Sequence, residues 1–457
     1  MMKRLRLHSI LRTLRLRDKV CWLFFIFVLQ FFFPTQGFSK IYINVDEPFI
    51  QKLKIAIPDF KALSANEELL HLSLKLPEIV SNDLDISGYF APMEKQAFLD
   101  EDGPLLTEDN IRFKNWSVIG TELLLKGGYI TIGRSIEVEV RLYDVVWGRQ
   151  ILAKRLLGKV DEIRSLMHRI GNEIISILTG NDGIFLTKIA YVGTSTGHKE
   201  IYICDYDGYN AQPITSDQSI ALLPGWSPQG DQILYNSYKQ GGANLYLRTL
   251  ATGEDRLLSN RVGLNTGACW IPNQNKLALT LSQKGNPDIF SIDLSGKIIN
   301  RFTNNWGIDV SPSFSPDGTK MAFVSDKSGN PQIYIKDLSS KEEKRLTYGG
   351  YYEISFESKY NSSPDWSKLD RIAFSGSNDA INFDIYTINP DGSHLRRLTE
   401  EQGNNEDPCW SPDGRYIVFS SNRNGGYQLY IMNANGQNQR RITFQKGEQT
   451  SPSWSPF

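Results

Sequence analysis

The sequence predicts two domains, an N-terminal α/β domain (mixed sheet with helices) and a C-terminal six-bladed β-propeller closed by a C-terminal strand. Three observations predict it. An aromatic in the context P/A-x-[WF]-x-P or close to it recurs at Trp226, Trp270, Phe314, Trp366, Trp410 and Trp454, with spacings of 44, 44, 52, 44 and 44. A hydroxyl residue closing a short R-L-T-like run recurs at Thr215, Ser259, Thr303, Thr347, Thr399 and Thr443, spaced 44, 44, 44, 52 and 44. The chain ends on SPSWSPF, the opening of one more repeat, whereas KIAYVG and EIYICDY precede the first marker with no opening of their own. A period in this range with strand-like contents marks propeller blades.

Within each period the elements follow in order. The aromatic leads into a Pro/Gly turn such as SPDG, where the backbone must reverse. Short apolar runs come next (QILYNS, KLALTLS, KMAFVSD, RIAFSG, YIVFSS), then hairpin residues such as KSGN and NRNGG. A third run (NLYLRTL, DIFSIDL, QIYIKDL, DIYTINP, QLYIMNA) and a turn lead to the hydroxyl marker. Four short strands per repeat result. SPSWSPF supplies the strand that the N-terminal partial blade lacks, and pairing the two closes the ring and removes its open edges.

Residues 40–180 read as the α/β domain, 181–457 as the propeller, and Asn181–Thr187 as the junction. KLKIAIPDF reads as a strand, and Glu67 to about Ile86 as a helix interrupted by Pro77. ELLLKGGYITI, SIEVEVRLYDV and RQILAKRLLG read as consecutive strands. Asp161–Leu178 reads as an amphipathic helix with its stripe at Ile163, Leu166, Met167, Ile170, Ile174, Ile177 and Leu178, capped by Asp161 and ended by Gly180.

Residues 1–39 read as a cleaved export signal: seven Lys/Arg, then VCWLFFIFVLQFFF, then small residues at Gly37 and Ser39. An uncleaved N-terminal anchor is the rival reading. The whole chain carries 50 Lys/Arg and 51 Asp/Glu; taking seven and one away with the signal leaves 43 against 50, a net of −7. A mildly acidic, exported chain is expected to be periplasmic, without stable membrane insertion after cleavage, and gives no electrostatic case for nucleic acid. A monomer is expected.

No catalytic, cofactor or metal residue is expected. The literal G-x-S-x-G at Gly193–Gly197 precedes a strand, whereas a nucleophile elbow at Ser195 needs a helix there. DYDGYN at Asp205–Asn210 lacks the distal Glu of a calcium loop and reads as a strand-connecting turn. His71 and His168 fall on helices, His198 and His394 in turns, and none converges on an aromatic marker. Cys204, Cys269 and Cys409 show no C-x-x-C spacing and read as packing thiols.

Binding remains. The segment joining the outermost strand of one blade to the innermost of the next crosses one rim. Just before the aromatics these segments present Leu264, Asn265, Thr266, Asp309, Val310, Asn361, Ser362, Glu406, Asp407, Gln449 and Thr450. This polar, somewhat acidic set suits a basic or hydrogen-bonding partner; a solvated loop face is the alternative. An eight-residue insertion enriches one such segment in aromatics (Tyr348, Tyr351, Tyr352, Phe356, Tyr360), which either meet a partner or pack on the rim.

With LTGNDGIFLTKIAYV at the junction, DYDGYN, WSPDG-type turns and the terminal PSWSPF, the mature chain resembles the TolB family of the Tol-Pal cell-envelope system. The resemblance implies a non-enzymatic periplasmic adaptor with two partners. The inner-membrane protein TolA would bind the mature N-terminus, here Lys40, Ile41, Tyr42, Ile43, Asn44, Val45 and Asp46, a strand-like segment suited to β-addition. The peptidoglycan-associated lipoprotein Pal would bind the rim and channel mouth at the pre-aromatic positions. Leu264 and Val310 depart from the commoner family wording, as does ACWIPN around Trp270, which lacks the SPDG turn. The alternative function is a propeller that gates or presents substrate to a hydrolase on another chain.

Overall fold

In a computed structural model of the protein, described for residues 52–63, 69–99, 110–283, 285–348, 359–378, 381–400 and 402–457, the predicted order of domains is realised. The expected signal, the segment Lys40–Asp46 and the insertion residues Tyr351, Tyr352 and Phe356 lie outside the described residues.

The first domain is built on a sheet of β1 (Leu53–Ala56), β2 (Lys61–Ala62), β3 (Phe90–Pro92), β4 (Leu123–Ile132), β5 (Ser135–Asp144) and β6 (Arg149–Lys159). The order is β3-β1-β4-β5-β6, parallel at β1/β3 and β1/β4 and antiparallel at β4/β5 and β5/β6, with β2 pairing β4. Gly127 in β4 is needed because a Cβ there would lie 2.5 Å from the Phe60 ring. Helices α1 (Leu72–Ile86), α2 (Phe113–Val118) and α3 (Ile163–Thr179) complete the domain. The stripe on α3 buries Leu166, Met167, Ile170, Ile174 and Leu178. Each such side chain removed from water contributes about 1.5–3 kcal/mol before conformational entropy is counted.

Two expectations about the helices change. Pro77 lies inside α1 without breaking it. Proline cannot donate to the carbonyl four residues back, but that carbonyl, on Ser73, accepts from the Phe60 amide at 3.0 Å, so no backbone group is orphaned. Asp161 does not cap α3: a 3-10 turn over Val160–Glu162 precedes the helix, and its N-cap Glu162 makes no side-chain cap bond. Gly180 ends the helix as expected, at φ +74°.

The described residues of the propeller form six four-stranded antiparallel sheets. Blades 1 to 5 span residues 221–259, 265–301, 309–345, 360–397 and 405–441, and blade 6 joins 449–454 to 188–213. The C-terminal strand Gln449–Trp454 pairs with Lys188–Gly193, Trp454 opposite Ile189, which closes the ring. The Trp454 indole donates to Thr187 Oγ1 at 2.8 Å, and the Ser455 amide to the Lys188 carbonyl at 2.8 Å. Inner strands interlock between blades: the Trp226 indole donates to the Ser453 carbonyl, the Trp410 indole to the Asp365 carbonyl, and the Trp366 amide to Ser313 Oγ.

The hydroxyl marker has a structural reason. Thr303, Thr347, Thr399 and Thr443 accept from the backbone amides of Ile289, Ile333, Ile385 and Leu429 at 2.8–3.0 Å. They donate in turn to Asp288, Gln332, Asp384 and Gln428, at or next to the start of the third strand in blades 2 to 5. The buried hydroxyl thus fixes the outermost strand against the third. Leaving such an amide unpaired costs about 1–3 kcal/mol.

A candidate partner-binding face on the propeller rim

Each strand reverses the chain's direction across the ring, so its turns divide between two faces. On one face the loops after the outermost strands meet the hairpins between second and third strands. The Ile308 amide donates to Asp326 at 2.7 Å there, and the Asn404 amide to Asn422 at 2.8 Å. The other face carries the SPDG-type turns and the turns after the third strands, and it receives the α/β domain. Tyr416 donates to the Ser87 carbonyl at 2.9 Å, and Arg440 to Asp85 at 2.9 Å. Among the described residues nothing covers the loop face, and the sequence-derived rim residues lie along it.

Their side chains separate into two groups. Asn265, Asp309, Asn361 and Gln449 are buried and bond their own loops or, at Asn361, the third strand of the preceding blade. Asn265 accepts from Ser259 Oγ and the Arg261 amide (3.0 Å) and donates to the Arg261 carbonyl, Asn305 donates to Asp309, Asn361 to Gln332, and Gln449 to the Lys446 carbonyl. These four shape the rim from beneath. Thr266, Val310, Ser362, Glu406, Asp407 and Thr450 are half-buried, and Leu264 is exposed. Burial pushes the Glu406 carboxyl above its ordinary range, against the Tyr427 hydroxyl that donates to it. Ser195, the discounted nucleophile, sits in a hairpin and donates to the Lys446 carbonyl at 2.7 Å.

Inward of these positions each inner strand bulges. The residue at the bulge has a left-handed backbone in every blade: Leu223, Gly267, Ser311, Ser363, Asp407 and Ser451, with φ between +49° and +62°. A bulge re-aims the side chain it carries, and these six line an axial cavity of about 510 Å³. Asp407 accepts there from Ser363 Oγ at 3.0 Å and from Ser451 Oγ at 3.1 Å, hydroxyls of the two adjacent blades. Behind them Asp365 accepts from the Trp410 amide at 2.7 Å, and burial pushes its carboxyl up to about 6. Sequence reasoning found only Asp407 of this ring. The missed signal was the residue-Pro step three places before the aromatic, as in Leu223-Pro224, Ser311-Pro312 and Ser451-Pro452.

The rim also carries apolar residues that the sequence reading passed over. Val262 is 88% exposed and Trp306 71%, with Ile308 and Phe444 exposed as well; Tyr348, already singled out in the sequence, is exposed on the same face. They occupy the loops that join blade 1 to 2, 2 to 3, 3 to 4 and 5 to 6, on the same face as the pre-aromatic segments.

Among the described residues one group has metal-ligand geometry, Asp83, His168 and Asp207, with atoms within 4.8 Å of one another. Its ligand positions are taken. Tyr206 donates to Asp83 at 2.6 Å, His168 Nδ1 lies 2.9 Å from Asp83 Oδ2, and the Arg164 guanidinium donates to Asp207 at 2.6 Å while lying 3.3 Å from His168 Nε2. A cation already fills the centre, so these residues do not fit a metal ion.

Residues 41–151 match the TolB amino-terminal domain, and residues 175–359 and 352–457 match the TolB beta propeller domain. The chain belongs to the TolB family. It is 40% identical over 270 residues to the Tol-Pal system protein TolB of Desulfosudis oleivorans, a match covering 59% of this chain and 61% of that protein. It is 40% identical over 193 residues to the protein of the same name from Syntrophotalea carbinolica, covering 42% and 45%. The chain thus spans about half to three fifths of the length of these relatives. The crystal structure of TolB from Acinetobacter baumannii superposes with a TM-score of 0.77 at 28% identity, covering 89% of this chain and 97% of that one. The six-bladed ring and its α/β partner domain are those of the family. Among the described residues no helix is long and apolar enough to cross a membrane.

Proposed function

We propose that this chain is a non-enzymatic adaptor of the Tol-Pal system in the periplasm. Its rim and channel mouth bind the lipoprotein Pal, and its mature N-terminus, residues 40–46, binds TolA. Through these two contacts it supports outer-membrane integrity and constriction of the envelope at division. One observation carries the Pal assignment: the SPDG face is occupied by the α/β domain, whereas no described residue covers the opposite face, which combines an acidic channel mouth at Asp407 with exposed apolar residues. Apolar anchors beside a polar, charge-bearing centre are what protein partners use. The Tol-Pal role of the named relatives supports the choice of partner.

Calorimetry of the mature chain with the periplasmic domain of Pal tests this reading. Glu406→Lys combined with Asp407→Lys should weaken binding at least about tenfold, equivalent to about 1.4 kcal/mol. Binding that ignores this double reversal sinks the rim assignment. For the second partner, removing residues 40–46 should abolish TolA binding, and retained affinity rejects that segment.

A further inference from the structure

The DYDGYN turn does more than join two strands. Tyr206 is fully buried; its hydroxyl donates to Asp83 of α1 at 2.6 Å, and its ring lies edge-on to His168 of α3 with centroids 5.6 Å apart. Asp207 accepts from Arg164 of α3 at 2.6 Å, and the same guanidinium lies 3.9 Å from the centroid of the Tyr209 ring. Gly208, at φ +86°, presses on blade 5 so closely that a Cβ would lie 1.7 Å from the Ile442 carbonyl oxygen. This turn belongs to blade 6, the blade completed by the C-terminal strand.

The same helix reaches blade 5. Arg440 donates to Asp85 at 2.9 Å, Asn438 to the Ile86 carbonyl at 3.3 Å, and Tyr416 to the Ser87 carbonyl at 2.9 Å. Gly88 approaches Asn433 so nearly that a Cβ would meet its side chain at 2.6 Å. The stretch from Asp83 to Gly88 thus touches two consecutive blades. A third route runs through the junction: Asn172 of α3 accepts from the Phe185 amide at 3.1 Å, and two residues on Thr187 accepts from the Trp454 indole.

We propose that the α/β domain is a staple across the seam of the ring. Helices α1 and α3 tie blade 5 to blade 6 on either side of the inserted C-terminal strand, so domain docking and ring closure form one cooperative unit. The physical ground is that blade 6 is assembled from the two ends of the propeller segment. A terminal strand frays first unless something beyond its own ladder holds its neighbours in place. The buried charges sharpen the joint. Burial raises the Asp83 carboxyl above its ordinary range; the His168 and Tyr206 contacts lower it in part, and Asp207 raises it further. Withdrawing the Tyr206 hydroxyl leaves a buried carboxyl oxygen short of a hydrogen-bond donor.

Hydrogen exchange read by mass spectrometry on the full mature chain tests the staple. Tyr206→Phe removes one hydroxyl, and Arg440→Ala separately removes a half-exposed contact. In each variant the amides of 449–454 and 188–193 should exchange at least about tenfold faster, with blades 2 and 3 unchanged, as expected for a regional opening. Unchanged exchange at 449–454, or equal acceleration in every blade, overturns the proposal. If Tyr206→Phe does not fold, Arg440→Ala decides by the same two outcomes.

Discussion

On one face of the ring the turns carry Tyr206, Asp207, Tyr416 and Arg440 onto α1 and α3; on the other the loops carry Val262, Trp306 and Phe444 into solvent. Both faces are made by the same repeat. The difference lies in what the turn residues meet. On the domain-bearing face charged groups are paired and buried or partly buried, so changes there should act on stability. On the open face apolar groups are exposed and the channel-mouth Asp407 is held only by hydroxyls, so changes there should act on binding. The experiments that break or sharpen this contrast follow in order of expected effect.

Deleting Ser451–Phe457 should have the largest effect, because it removes four of the six residues of the first strand of blade 6 and reopens the ring. Trp454 alone is buried, and Trp454→Ala should cost about 3–5 kcal/mol. Calorimetric unfolding measures both, and a truncated chain with unchanged melting would show that the ring does not depend on its seam. Next comes Gly208→Ala on the domain-bearing face. A left-handed backbone costs a side chain about 1–2 kcal/mol, and the clash with Ile442 adds to it. Denaturant unfolding should register at least that loss while rim binding of Pal is retained.

A pH effect separates a buried channel-wall group from both faces. The Asp365 carboxyl titrates at about 6 in the fold against an ordinary 3.8. The folded chain therefore holds a proton that the unfolded chain releases. The stability this confers is fully present below about pH 4 and is lost as pH rises through about 6. Asp365→Asn should flatten stability between pH 4 and 7 by up to about 3 kcal/mol, since its oxygen can still accept from the Trp410 amide. An unchanged pH profile counts against this origin. The smallest effect on stability belongs to Trp306→Ala on the open face, within about 0.5 kcal/mol of the parent. Its Pal affinity should nevertheless fall by about 1–2 kcal/mol, and equal affinity would remove blade 3 from the binding surface.

The ring was legible because its repeat is enforced residue by residue. Each aromatic packs between blades, and the five marker threonines each bond the third strand of their own blade, so both recur at fixed spacing. The rim was legible only in outline. Asn265, Asp309, Asn361 and Gln449 share the pre-aromatic position, and polar identity alone does not say whether a side chain faces water or turns back to bond its own loop. The same ambiguity hid the exposed Val262 and Trp306, since a hydrophobic residue in a loop reads as buried until neighbours are known. Local rules failed at two helix positions, Pro77 and Asp161, because a tertiary partner and a preceding 3-10 turn took over the work that local signals assign.

By itself the sequence determined the blade count, the phase of the repeat and the strand that closes it, since period and order are properties of the chain. Tertiary structure alone decided what DYDGYN is for and which face stays open. Those depend on Asp83, Arg164 and His168 arriving from elsewhere in the chain, and a buried charge is tolerated only where such partners converge.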